Sequence, residues 1–225
     1  MTRSLTLDTV SGVLTRHIPL YRRMAPTYQT VMLQGLDQLW DARHRRVLDV
    51  GGGTGVIAQA IKELFGVEVT SVDVEDRFLE TLDIETHTYD GVTLPFAAAS
   101  FDAVILNNVI HHVPVAIRPA LMRECGRVGG DGPIYVKDHV TASPIDRMRL
   151  MFLDLVGNAP FSGMIRASYL SDGDWNVLAQ LAGLRIDASV GGEYRSGAFA
   201  ALFPNRLERT MRWLPATQRM APPKS

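Results

Sequence analysis

Residues 47–59 read Val-Leu-Asp-Val-Gly-Gly-Gly-Thr-Gly-Val-Ile-Ala-Gln. An apolar, β-branched run drops into glycines at 51, 52, 53 and 55, and a helical pattern follows. A strand that stops in a glycine turn ahead of a helix is how open α/β sheets build nucleotide pockets. Bare backbone approaches a ligand where a Cβ would clash. Spacing narrows the choice of nucleotide. Gly51, Gly53 and Gly55 give Gly-x-Gly-x-Gly, while the dinucleotide fingerprint Gly-x-Gly-x-x-Gly wants a small residue where Val56 stands. Val56 therefore argues against a nicotinamide oxidoreductase. A turn that serves only to join strand and helix is the alternative.

Strands and helices alternate outward from this turn. Residues 46–50 are strand-like, and 55–65 are helical with Ile57, Ile61, Leu64 and Phe65 on one side. Residues 67–73 alternate like a strand and end on an acid, 84–89 form a weaker strand, and 101–107 carry an apolar run suited to burial on both faces. A helix over 115–125 and a strand over 133–139 complete the series. This order predicts a doubly wound, mostly parallel sheet with helices on both faces, its ligand at the carboxyl ends of the strands. Residues 1–45 read as a helical N-terminal cover, clearest over 24–40, where Met32, Leu33, Leu36, Leu39 and Trp40 recur at three- and four-residue steps.

Residues 140–170 break the alternation. Leu150, Met151, Phe152, Leu153, Leu155 and Val156 form an apolar segment closed by Gly157-Asn158-Ala159-Pro160, read as a helix and loop inserted after the fifth strand. In the C-terminal part, 171–225, a helix over 171–182 starts at the N-cap Ser171, with Asp174 in its first turn. Strands are expected at 184–190 and 196–203, an antiparallel pair joined through Gly191-Gly192. Arg206, Arg209 and Arg212 then read as the solvated face of a helix in the tail, with an anion site as the alternative.

Bulk properties bound the function. A chain of 225 residues suits one domain, and 46% hydrophobic with 21% charged residues is ordinary for a globular protein with a real core. A net charge of −1 does not suggest a nucleic-acid or anionic-membrane partner. Cys125 is the only cysteine, so no intramolecular disulfide forms. No apolar run has membrane-spanning length, and Arg3, Asp8 and Arg16 interrupt any signal-peptide core. These features are read as cytoplasmic.

Three further motifs bear on the pocket. Asp73 lies eighteen residues beyond Gly55, where a carboxylate accepts ribose hydroxyls, although an acid at a strand end also caps helices. Asp90-Gly91 precedes Leu94-Pro95-Phe96; as a dipeptide it is also a common turn. Asn107-Asn108-Val109-Ile110-His111-His112-Val113 follows the fourth strand. Over about residues 46–139 this set resembles the class I S-adenosylmethionine (SAM)-dependent methyltransferases, in their small-molecule branch. The resemblance implies a Rossmann-like, seven-stranded sheet with an antiparallel last strand. It implies SAM as cofactor and S-adenosylhomocysteine as product. It sets Asp49 near the ligand's amino group, Gly51, Gly53 and Gly55 under its methionine part, Asp73 on the ribose, Asp90 and Gly91 at the adenine, and Asn107 at the pocket edge. Tyr28, in the helices that fold over such pockets, is a candidate for the methionine carboxylate or a packing tyrosine.

Methyl transfer to oxygen or nitrogen also requires loss of the acceptor's proton. His111, His112 and His139 are the candidate bases, since imidazole titrates near neutrality; hydrogen-bonded supporting roles are the alternative. Strand alternation puts Lys137 and His139 on one face and Asp138 on the other. The expected reaction is methyl transfer to a small organic molecule, at oxygen. A SAM-binding protein that does not transfer methyl, such as a cyclase-like catalyst or an interaction subunit, is the alternative. No motif compels a metal. The segment at 140–166 is expected to supply an apolar acceptor wall, with Arg147, Arg149 and Arg166 either paired or forming an anion site; a homodimer through Met148, Met151 and Phe152 competes for the same surface.

Overall fold

The computed structural model describes residues 4–158 and 167–217. Its strands are β1 (Arg46–Val50), β2 (Glu68–Asp73), β3 (Glu85–Thr88), β4 (Ala103–Asn107), β5 (Ile134–Thr141), β6 (Leu170–Ser171), β7 (Leu184–Val190) and β8 (Glu208–Pro215). The main sheet runs β3-β2-β1-β4-β5-β8-β7, and two-residue β6 pairs with β5. Pairing is parallel from β3 through β5, while β8 is antiparallel to both β5 and β7. This is the expected doubly wound sheet of seven strands, with β6 as an addition. The chain leaves β1 toward β2 and β3, then returns to the other side of β1 as β4. Parallel sheets bind ligands at such a reversal, outside the carboxyl ends of the strands.

Alternating side chains build a core on each face. Leu48, Val50, Val104, Leu106 and Val136 pack toward α4 (Arg118–Gly129) and α6 (Asp172–Leu181). Val47, Ile105 and Tyr135 pack toward α1 (Leu7–His17), α2 (Thr27–Leu39) and α3 (Val56–Phe65). The strand residues in both sets are at most 1% exposed, so each large aliphatic contributes about 1.5–3 kcal/mol of transfer free energy. Burial on both faces also explains why these strands read as apolar runs. At α6, Ser171 and Asp174 close a capping box: Asp174 N donates to Ser171 Oγ at 3.2 Å and Ser171 N to Asp174 Oδ2 at 2.8 Å.

The C-terminal expectations need correction. Residues 196–203 are not a strand: Gly197–Leu202 forms a short helix, α7. Ala and Leu fill that segment, and both favour helix. The antiparallel partner of β7 is instead β8, in the tail expected to be helical. Arg209 and Arg212 are three apart on a strand, so they face opposite ways rather than along one helix stripe. Each finds a separate acid. Arg209 pairs with Asp172, Arg212 Nε donates to Asp187 Oδ2 at 3.0 Å, and Arg206 Nη1 meets Asp146 at 2.8 Å.

Candidate active site

The glycine turn sits at the end of β1, at the topological reversal. Gly51, Gly53 and Gly55 have φ of 77°, 59° and 76°, a region that other residues enter at a cost. Gly51 N and Gly52 N both donate to Val72 O, tying the turn to β2. Gly52 is confined as well: a Cβ there would lie 1.9 Å from Ser71 Oγ and 2.6 Å from Asp49 Oδ2. Asp49 is buried beneath the turn and accepts from Ser71 Oγ at 2.7 Å. Burial, offset in part by the Ser71 bond and reinforced by the Asp73 charge, pushes Asp49 up to about 6. Asp73 ends β2 and accepts from Gly53 N at 2.7 Å and Glu75 N at 3.2 Å. The two carboxylates thus stand on either side of backbone that no Cβ obstructs, a cradle that fits a cationic nucleoside.

Asp90 accepts from Val92 N at 2.8 Å and Thr93 N at 2.6 Å, so it closes its own turn, with Gly91 at φ 88°. Those backbone bonds hold its carboxyl below the usual range. Asn107 ends β4 with a buried Nδ2 that has no hydrogen-bond partner among the described residues. Tyr28, from α2, is engaged elsewhere. Its hydroxyl accepts from Asn108 Nδ2 at 2.6 Å and contacts Lys137 Nζ, which also donates to Asn108 Oδ1 at 2.9 Å and Glu208 Oε2 at 2.6 Å. Glu208 takes Arg195 and, at 2.5 Å, Tyr194 Oη on its other oxygen. The protein's own lysine and asparagine thus reach the Tyr28 hydroxyl, which accepts from both.

The three candidate histidines come together: His111 and His112 lie in the turn after β4, and His139 lies on β5. Asp138 Oδ1 meets His111 Nδ1 at 2.5 Å and accepts from His139 N at 2.7 Å; Asp138 Oδ2 accepts from Ile110 N at 3.0 Å. His111 and His139 rings lie 4.8 Å apart, and the His112 ring is tilted against His111 at 4.0 Å. Burial alone would lower His111, but the Asp138 charge and hydrogen bond, with Asp154 behind them, raise it to about 9. His111 is therefore protonated at neutral pH and does not serve as a base in this state. Asp138, opposed by burial but paired with His111, falls to about 2.

Sequence reading missed Asp154 and Tyr169. Asp154 lies on α5 (Pro144–Asn158), the inserted cover. Its Oδ2 is 3.4 Å from His111 Nε2, its Oδ1 is 3.4 Å from His139 Nε2, and Tyr169 Oη donates to Oδ2 at 2.5 Å. Tyr169 also stacks on His111 at 5.5 Å. An acid inside an apolar run was the available signal; nothing in the sequence showed which strand it would meet. The expected apolar wall is corrected accordingly. Leu150 is buried with Tyr169 and Leu207, whereas Met148, Met151, Phe152 and Leu155 are exposed. The described part of α5 brings a carboxylate to the histidines. Of the arginines read as either paired or an anion site, Arg149 pairs with Asp146 at 3.2 Å, and Arg166 lies outside the described residues. Although no motif compelled a metal, His111, His112 and Asp154 each offer a ligand atom, all within 4.8 Å of one another.

Residues 47–132 match the family model described as a methyltransferase domain. The demethylmenaquinone methyltransferase of Corynebacterium urealyticum is 34% identical over 115 residues, covering 46% of this chain and 49% of that protein. The chain thus matches about half the length of that curated relative. Among solved structures, the fold resembles one described as a complex of the Haloferax volcanii Trm112 methyltransferase activator with a methyltransferase. The TM-score there is 0.61 at 13% identity, covering 96% of this chain and 99% of that one. It also resembles the mitomycin 7-O-methyltransferase MmcR, with a TM-score of 0.58 at 18% identity over 92% of this chain and 60% of that one. The family match thus covers residues 47–132, and the solved structures share the fold. No helix among the described residues is long and apolar enough to cross a membrane.

Proposed function

We propose that the chain transfers a methyl group from SAM to an oxygen of a small organic acceptor. The observation that carries this reading is the placement of two sites along one sheet edge. The glycine cradle with its two carboxylates follows β1 and β2, and the histidine–aspartate cluster follows β4 and β5. SAM supplies a methyl on a sulfonium, which the acceptor displaces in line with the sulfur. Gly51, Gly53 and Gly55 bind its methionine part, Asp49 faces its amino group, Asp73 holds the ribose, Asp90 and Gly91 border the adenine, and Asn107 stands at the pocket edge. Asp49 and Asp73 bring negative charge to a cationic ligand; the partnerless Nδ2 of Asn107 remains available as a donor.

His139 is the base in this reading. Asp154 faces its Nε2 at 3.4 Å and orients the ring, while its buried Nδ1, without a hydrogen-bond partner among the described residues, takes the acceptor's hydroxyl proton once the acceptor enters beneath the cover. His111, held by Asp138, positions Asp154 and so the cover. Oxygen is favoured because a hydroxyl needs such a base, and the mitomycin enzyme of the same fold is named for that chemistry. Turnover tests the proposal: with SAM and a panel of phenolic and alcoholic acceptors, S-adenosylhomocysteine should accumulate with the methylated product. SAM binding with no product across the panel would instead favour a SAM-binding protein that does not transfer methyl.

A further inference from the structure

We infer that His111, His112 and Asp154 form a binding site for a divalent transition-metal ion of the zinc class. The site stands whether or not the chain transfers methyl groups.

Geometry supports it first. His111 is 1% exposed, and its Nε2 is aimed at Asp154 with no hydrogen-bond partner. The 3.4 Å from His111 Nε2 to Asp154 Oδ2 is long for a hydrogen bond to a charged group. Two ligands bound at about 2.0–2.1 Å to one tetrahedral ion stand about 3.4 Å apart. His112 adds a third ligand atom, and the whole set lies within 4.8 Å. Closing that set onto one ion requires movement of about 1 Å, within reach of a half-buried side chain on a loop.

The surroundings match those of a metal site. Metal-bound imidazole commonly donates its other N–H to a carboxylate, which fixes the tautomer and the ring. Asp138 occupies that place on His111 Nδ1 at 2.5 Å, and is itself fixed by Ile110 N and His139 N. The ligating carboxylate is steadied in turn by Tyr169 Oη at 2.5 Å. Asp138 and Asp154 flank the imidazole from both nitrogens, so the site already favours positive charge. Two imidazole nitrogens and one carboxylate suit zinc, cobalt, iron or nickel and disfavour calcium or magnesium, which take oxygen ligands. Three protein ligands also leave a position for water or another oxygen. Binding would displace the proton from His111 Nε2 to solvent.

The test uses the full chain, stripped with chelator and titrated with Co²⁺, whose visible d–d bands report coordination directly. One equivalent should bind and be displaced by Zn²⁺. Asp154→Asn and His112→Gln should each weaken Co²⁺ binding at least tenfold, and Asp138→Asn about 10–100-fold. His87→Gln, at an exposed histidine paired with Glu85, should leave binding unchanged. Circular dichroism of each variant identifies any loss caused by unfolding; His112, half-buried, supplies the test if Asp154→Asn does not fold. No d–d bands in the wild-type chain, or bands unaltered in both folded ligand variants, would overturn the site. SAM binding measured on the same samples separates this outcome from failure of the methyltransferase reading.

Discussion

Lys137 and Asp138 are neighbours on β5, yet they anchor two polar networks of opposite character. On the Lys137 side, one buried carboxylate, Glu208, meets two cations and a tyrosine, and Lys137 also reaches Asn108 and Tyr28. Burial and the Lys137 charge compete at Glu208, and the charge wins, bringing it to about 2. On the Asp138 side, two carboxylates face two histidines, and among the described residues His111 Nε2 and His139 Nδ1 have no hydrogen-bond partner. A buried carboxylate held by two cations stabilises and positions; Arg195 Nε also lacks a partner there among the described residues, but a guanidinium N–H takes neither a proton nor a metal. Imidazole nitrogens can take up a ligand or exchange a proton. Both are buried, so burial alone does not separate structural from reactive residues.

Four changes probe that difference, from largest effect to smallest. His139→Ala should lower turnover about 10²–10⁴-fold, while SAM affinity by calorimetry stays within about twofold. Normal turnover would remove His139 from the chemistry and leave the comparison without its reactive member. Lys137→Met should act on stability instead, costing about 3 kcal/mol in urea denaturation, because Glu208 loses its closest lysine while remaining buried. A cost near zero would show that Arg195 alone satisfies Glu208.

Asp49→Asn tests the cradle through pH. Asp49 ionises at about 6 in the fold against an ordinary 3.8, so its charge opposes folding increasingly between those values and fully above them. The variant should therefore gain up to about 3 kcal/mol at pH 7 and nothing below pH 4. It should also bind SAM about tenfold more weakly at pH 7, and wild-type affinity should fall as pH drops below about 6, where Asp49 becomes neutral. Affinity of the variant equal to wild type at pH 7 would remove Asp49 from the amino-group site. Arg209→Ala breaks an ion pair on the same strand as Glu208, but at the surface, with side chains 33% and 63% exposed. Its cost should stay below about 1 kcal/mol by thermal denaturation. A larger loss would mean that burial is not what makes Lys137–Glu208 costly to break.

Legibility followed the range of the interactions. The glycine turn, Asp73 and the β1–β5 order were readable because each depends on neighbours in sequence and on period-2 or period-3.6 patterning. At Asp90 the structure shows the turn reading: it closes a turn, as Asp-Gly dipeptides do. The C-terminal third was misread where local signals conflicted with pairing. Arginines at 206, 209 and 212 mimic a helix stripe, but β8 gains its stability by inserting between β5 and β7, a long-range gain that three-residue spacing does not encode. The partners of Tyr28 were illegible for the same reason, since Lys137 and Asn108 reach it only through the tertiary fold.

The sequence by itself determined the fold class, the glycine turn at the end of β1 and the arrival of His111, His112 and His139 at one sheet edge. Strand periodicity and the conformational demands of glycine act locally, so these follow from the order of residues. Tertiary structure alone decided what those histidines meet. Asp154 and Tyr169 come from a cover that shares no local pattern with β4 or β5, and Asp138 meets His111 across adjacent strands. Carboxylates closing on imidazoles in a water-poor interior set their charge and leave nitrogens open, and that depends on distance in space, which spacing along the chain does not reveal.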